Sequence, residues 1–117
     1  MAMATDCIFC RIIAHEIPST EVASSELSYA FRDNTPAMPV HVLVVPRRHI
    51  ASADTVESTD AEVLADMVVT AQTVARQEGI ADSGYRLVFN VGDDALNSVG
   101  HLHLHVLGGQ KMGWPPG

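Results

Sequence analysis

The chain has 117 residues, 47% of them hydrophobic and 18% charged, with a formal net charge of -7. That length suits one domain over residues 1–117, able to bury roughly two-thirds of its unfolded surface. The acidic balance argues against a nucleic-acid partner, whose phosphates are held by clustered Lys and Arg, and leaves room for a small phosphorylated ligand.

No apolar run reaches membrane-spanning length, and Met1–Ile13 lacks the basic start and long apolar core of a signal peptide. The expectation is a cytoplasmic protein with no membrane partner. The two cysteines, Cys7 and Cys10, form a C-x-x-C. In a reducing compartment that spacing suggests metal or redox chemistry before a structural disulfide.

Cys7–Ala14 is a short helix candidate, ended before Pro18. A strand is expected around Glu21–Ala23, with a turn at Ser24–Ser25. Leu27, Tyr29 and Phe31 then alternate with Ser28, Ala30 and Arg32, the period of a half-buried strand. His41–Val45 is rich in β-branched residues and stops at Pro46. The long helix is the clearest element. Thr59 and Glu62 have capping-box spacing, Gly79 supplies a left-handed stop, and Val63, Leu64, Met67, Val68, Ala71, Val74 and Ala75 make one apolar stripe. Tyr85–Val91 is another strand, and Gly92-Asp93-Asp94 turns out of it. Strands with one long helix imply an α+β domain, the helix covering one face of an antiparallel sheet. The other face is expected to be free.

His101-Leu102-His103-Leu104-His105 carries most of the functional information. In a strand, His101, His103 and His105 would line one face while Leu102, Leu104 and Val106 pack into the core. Three imidazoles held on one rigid element offer nucleophiles, proton donors or metal ligands near neutral pH.

The run H-L-H-L-H-V-L resembles the signature of the histidine triad family. Cys7–Pro18, Phe31-Arg32-Asp33 and His41–His49 resemble other segments of that family. The ending Trp114-Pro115-Pro116-Gly117 is similar to that of its Hint branch, nucleotide-binding proteins that act as purine nucleoside phosphoramidases. The resemblance spans nearly the whole chain. It implies the HIT-like fold, a five-stranded antiparallel sheet with one long helix and a short N-terminal helix.

By the same resemblance His103 is the nucleophile, forming a nucleotidyl-histidine intermediate, and His105 donates to a phosphoryl oxygen. His41 supports the triad from a neighbouring strand, Asn90 contacts phosphate, and Ser98 assists the leaving amine. Asp33 accepts from ribose hydroxyls, as its two oxygens allow. Ile8, Phe9, Ile12, Phe31, Arg32 and Asn34 correspond to the walls around a purine base, and Asn97, Ser98 and Val99 to the phosphate loop. Arg32 and Asn34 stand where histidine and isoleucine are common. Leu96 stands where the family usually has a glycine, and Asn97 where it has a longer amide. A leucine resists backbone conformations open to glycine.

Read alone, C-x-x-C is compatible with zinc ligation or a redox pair; no βαβ pattern surrounds it, and Arg11 stands where haem attachment needs histidine. Relatives that bind structural zinc use this cysteine pair with two histidines, which implies Cys7, Cys10, His49 and His101 as ligands here. No organic cofactor is implied. His15 is left as a solvent-exposed residue.

The expected ligand is therefore a purine nucleoside monophosphate or phosphoramidate. Competing readings are dinucleoside polyphosphate hydrolysis, a weakly catalytic nucleotide-sensing module, and a metal-sequestering histidine strip. Members of the branch pair as homodimers through the long helix and a strand, with Trp114 expected to reach the partner's site.

Overall fold

In the computed structural model, which describes residues 6–117, five strands form one antiparallel sheet. The reading of Met1–Ile13 therefore lies partly outside the described residues. The strands are β1 (Glu21–Ser24), β2 (Ser28–Arg32), β3 (Val40–Pro46), β4 (Tyr85–Val88) and β5 (Leu104–Gly108). Their order in the sheet is β1-β2-β3-β5-β4, so β3 and β5, far apart in sequence, are central neighbours. The helices are α1 (Ile8–Ile13) and α2 (Ala61–Gln77). This is the expected α+β, five-stranded architecture. No helix among the described residues is long and apolar enough to cross a membrane.

The leucines between the histidines face α2. Leu102, Leu104 and Val106 pack with Val42 and Val44 of β3 and with Met67, Ala71 and Val74 of the helix. Each valine, leucine or methionine side chain buried this fully contributes about 1.5–3 kcal/mol from apolar transfer. Gly79 adopts φ +74 past the helix end, and Ile80 returns its amide to the Ala75 carbonyl at 3.0 Å. That is the expected left-handed stop.

Several local expectations are overturned. The Thr59–Glu62 capping box does not form. A 3-10 turn at Ser58–Asp60 precedes the helix instead, and the Asp60 carboxylate accepts from the Glu57 amide at 2.9 Å and pairs with Arg48. Val68 leaves the core stripe and is exposed, while Thr70 takes a buried position. β2 is not half-buried: Ser28, Tyr29, Ala30 and Phe31 are all buried, because α2 covers one face and α1 the other. The second sheet face is thus not wholly free. Phe9 and Ile12 of α1 lie there against Tyr29, Phe31, Leu43 and Val45. β4 ends at Val88 rather than Val91.

Candidate active site and metal cluster

The histidine run is not one strand. β5 begins only at Leu104, so His101 and His103 precede it and only His105 lies within it. The alternation survives, since the intervening leucines still enter the core, but each histidine has its own surroundings.

His105 pairs across the sheet with Leu43, and His41 with Leu107, which places both rings on the α1 side. Nδ1 of His41 accepts the Ala37 amide at 3.0 Å. A neutral imidazole carries one proton, so the His41 proton sits on Nε2 and is donated to Nδ1 of His105, 2.9 Å away. The proton of His105 is then on Nε2, directed outward. Nδ2 of Asn90 lies 3.4 Å from that Nε2, and turning the side-chain amide over would bring its oxygen there to accept.

Burial sets the charge of this relay. It lowers the pKa of His41, partly opposed by Asp33, and lowers that of His105 to about 4, with repulsion from His103 and His41 adding to the effect. Both rings are neutral at physiological pH. Asp33, His41 and His105 are close enough to invite a metal. The tautomers argue against one: ligation through Nε2 of His41 would put a proton on Nδ1, facing the Ala37 N–H.

His103 is fixed differently. Its Nδ1–H donates to the carbonyl of His101 at 2.8 Å, which leaves Nε2 with a free lone pair. Phe9 meets its ring edge-on at 5.2 Å, and the His105 ring lies 5.0 Å away. One nitrogen base with an open lone pair therefore stands beside one nitrogen donor.

A cavity of about 210 Å³ lies next to these rings, lined by Ile8, Phe9, Ile12, Phe31, Asp33 and Asn34 among others. The structure brings together the expected base walls. Asp33 closes it toward the histidines: Oδ1 accepts from the Thr35 amide at 2.8 Å, and Oδ2 lies 3.5 Å from His41 Nε2. Arg32 also lines this cavity. It pairs in register with Val42, whose side chain faces α2, and its guanidinium bonds Glu78 at 2.7 and 2.8 Å. Arg32 borders the cavity but its charged end is turned away.

A second cavity of about 400 Å³ lies toward the β4 edge, lined by His41, Asn90, His105, Arg86, Pro116 and Gly117 among others. Arg86 was missed in the sequence, and the tail, read there as a branch signature with Trp114 reaching a partner, lines this cavity of its own chain through Pro116 and Gly117. Alternation back from Asn90 through Val88 was the available signal for Arg86, which also holds the tail through the Gly113 carbonyl at 2.8 Å. Trp114 is 83% exposed and is not packed on the histidines of its own chain.

The loop before the triad carries strain. Leu96 adopts φ 61, ψ 30, the left-handed conformation that the resemblance associates with glycine. Asn97 follows with a buried Oδ1 that has no hydrogen-bond partner. Ser98 is exposed, and Val99 packs on the Phe9 cluster.

Behind the triad, Cys7, Cys10, His49 and His101 bring four ligand atoms within 4.8 Å of one another. Nδ1 of His101 lies 3.1 Å from Nδ1 of His49 and 3.3 and 3.5 Å from the sulfurs of Cys7 and Cys10; Cys10 Sγ is 3.4 Å from His49. Tetrahedral zinc would separate two nitrogens by about 3.3 Å and nitrogen from sulfur by about 3.6 Å. The donor set fits with small adjustments. Nε2–H of His101 donates to the Pro46 carbonyl at 2.9 Å, which leaves Nδ1 free to ligate, and the Cys10 amide donates to Cys7 Sγ at 3.4 Å. Burial lowers the His101 pKa to about 4, so the ring is neutral, as a ligand must be. Without a cation, burial and the Cys7 sulfur push the Cys10 thiol up to about 11.

Comparison with known proteins agrees with this geometry. The HIT domain family model matches residues 14–112. A 14 kDa zinc-binding protein of Brassica juncea is 44% identical over 114 residues, covering 96% of this chain and 100% of that protein. Adenylylsulfatase HINT1 of Arabidopsis thaliana is 44% identical over 112 residues, covering 94% of this chain and 76% of that protein. A HIT family hydrolase from Legionella pneumophila superimposes with a TM-score of 0.92 at 46% identity, covering 95% of this chain and 99% of the other. The chain belongs to the histidine triad (HIT) family.

Proposed function

We propose that this protein is a nucleotide hydrolase of the Hint branch, cleaving the P–N bond of purine nucleoside 5'-phosphoramidates through a nucleotidyl-His103 intermediate. The observation that carries this reading is the 2.8 Å bond from His103 Nδ1–H to the His101 carbonyl. It places the lone pair on Nε2, where a neutral imidazole attacks phosphorus.

The nucleoside occupies the cavity of Phe9, Phe31 and Asp33, with Asp33 accepting from the ribose. Nε2 of His103 bonds to phosphorus, the P–N bond breaks, and its electron pair leaves with the amine, which takes up a proton. Ser98 assists that leaving nitrogen. Nε2–H of His105 donates to a phosphoryl oxygen as charge gathers there, and Asn90 lies beside it. Water then attacks phosphorus and gives up a proton to solvent, which balances the one the amine took from solvent. The P–Nε2 bond breaks, its electron pair returns to His103, and the monophosphate is released.

A second reading comes from the relative named adenylylsulfatase. Adenylyl sulfate would give the same adenylyl-His103, with sulfate leaving unprotonated. Rapid-quench mass spectrometry with adenosine phosphoramidate, and separately with adenylyl sulfate, tests both. An adenylyl mass on the peptide containing His103 is expected; its absence with both substrates, while either is turned over, excludes His103 as nucleophile.

Cys7, Cys10, His49 and His101 would hold one structural zinc, consistent with the zinc-binding name of a relative. A closed Cys2His2 set has no position for substrate, so the metal would supply folding energy and cross-linking. Elemental analysis of protein prepared without chelators should find one zinc per chain, and none in Cys7→Ala or Cys10→Ala. Zinc-free native protein would remove this assignment.

A further inference from the structure

The His101–Leu102 peptide unit is held at both ends. Its oxygen accepts the Nδ1 proton of His103 at 2.8 Å. Its nitrogen, the Leu102 amide, donates to the Ile50 carbonyl at 2.6 Å. The His101 side chain is fully buried and is fixed by the Pro46 carbonyl on one nitrogen and by the cluster on the other. Ile50 is the chain neighbour of His49, itself a cluster member. The segments 46–50 and 101–103 are thus tied together by two backbone acceptors and by the His49–His101 contact.

From the N-terminal side, Cys7 and Cys10 reach the same point, and between them Phe9 lies edge-on to both His101 and His103, at 5.9 and 5.2 Å. Every restraint on the His103 ring identified above, apart from its neighbour His105, passes through a residue of the cluster or one adjacent to it in the chain.

We propose that the Cys7–Cys10–His49–His101 cluster, gathered on a metal, positions the nucleophile by aiming the His101 carbonyl that keeps the proton of His103 on Nδ1. His101 is then a positioning residue as well as a ligand. The idea rests on reading His103 as the nucleophile, and it goes beyond a purely structural metal. An imidazole's tautomer follows the hydrogen bond that its other nitrogen makes. If the carbonyl turns away, the proton is free to occupy Nε2, and that ring cannot attack. Of the nucleotide contacts, Asp33 and Phe31 belong to β2 and its end and are spared, whereas Ile8 and Phe9 lie on α1 between the two cysteines.

The test compares zinc-loaded protein with Cys10→Ala and Cys7→Ser, all labelled with nitrogen-15, at a pH above histidine titration. Long-range proton–nitrogen spectra report the tautomer of His103 directly. The zinc-loaded protein should show only the Nδ1–H form, and the zinc-free variants a mixture. The kcat should fall about tenfold, equal to about 1.4 kcal/mol at the barrier, over and above any loss of AMP affinity through Ile8 and Phe9. Should either variant unfold, stepwise zinc removal from the wild type by chelation, with the amide spectrum checking the fold, gives the same readout.

A single Nδ1–H tautomer in folded, zinc-free protein overturns the inference, as does a rise in KM with kcat retained. Failure to trap adenylyl-His103 in the zinc-loaded wild type overturns the nucleophile reading, and this inference with it. The tautomer result alone overturns only the positioning role.

Discussion

Nε2 of His41 stands 2.9 Å from Nδ1 of His105, and the Ala37 amide on the far side of the His41 ring fixes the direction of that bond. A proton on His105 Nε2 is therefore dictated by a backbone N–H two hydrogen bonds away. His41→Ala removes the donor to Nδ1, and His105 can then place its proton on the wrong nitrogen. We expect kcat to fall by about tenfold or more, with AMP affinity nearly retained. Steady-state kinetics and calorimetric titration with AMP check this. Unchanged kcat would mean that His105 holds its tautomer without help.

The buried histidines also make stability depend on pH. His105 falls from an ordinary 6.5 to about 4, and His41 is lowered in the same direction. In the window between those values the unfolded chain binds more protons than the folded one, so stability rises with pH. The contribution is full above about 6.5 and is lost as pH falls toward about 4. For His105 it amounts to roughly 3 kcal/mol at most. Urea unfolding across this range should give a sloping profile, and His105→Asn should flatten part of it. A flat wild-type profile would contradict the assignment.

Leu96 occupies a left-handed conformation with 86% of its surface exposed. Leu96→Gly relieves backbone strain and sacrifices almost no packing. Relief of about 1–2 kcal/mol is partly offset by the greater freedom of glycine in the unfolded chain, roughly 0.5–1 kcal/mol. A net gain of about 0.5–1 kcal/mol is expected in denaturant unfolding. Turnover should rise as well, because Asn97 and Ser98 follow directly. Lower stability and lower turnover together would show that the leucine loop has a working geometry of its own.

An apolar strip is left on the helix side of the β4 edge. Leu87 pairs with Val106, which faces α2, yet Leu87, Phe89 and Val91 are exposed, as are Val68 and Val69 on the helix. Uncovered strand edges with apolar flanks invite pairing, and twofold pairing is the commonest solution. The protein is expected to be a homodimer through this face, and Val69→Glu should shift it to the monomer mass in light scattering. A second copy would also give the exposed Trp114 a surface to meet. Trp114→Ala should then change selectivity among phosphoramidates more than stability, and equal rates across a leaving-group series would exclude that role. A wild-type monomer at micromolar concentration would exclude the pairing.

Much of the fold was legible in the sequence because it is written in short-range periodicity. Leucines alternating with histidines, the stripe from Val63 to Ala75 without Val68, and the stop at Gly79 each depend on neighbours within a few residues, and each appears in the structure. At Leu96 the resemblance marked a position where glycine is usual, but a leucine's own preference runs against the left-handed backbone that the structure shows there. The capping box at Thr59 failed where an equally local competitor, Asp60 with Glu57 and Arg48, was the better partner.

What the sequence alone determined was therefore which side chains are present and which face of the sheet they start from. Only the tertiary structure decided what each does there. His101 and His103 are two residues apart with the same chemistry, yet one ring turns to Cys7, Cys10 and His49 while the other keeps its lone pair open. Arg32 borders the site and turns its charge to Glu78, forty-six positions along the chain. The physical reason is shared by His101 and Arg32. A ring's tautomer and a side chain's direction are set by hydrogen-bond partners, and those partners, Pro46 and Glu78, are brought close only when the sheet and helix pack.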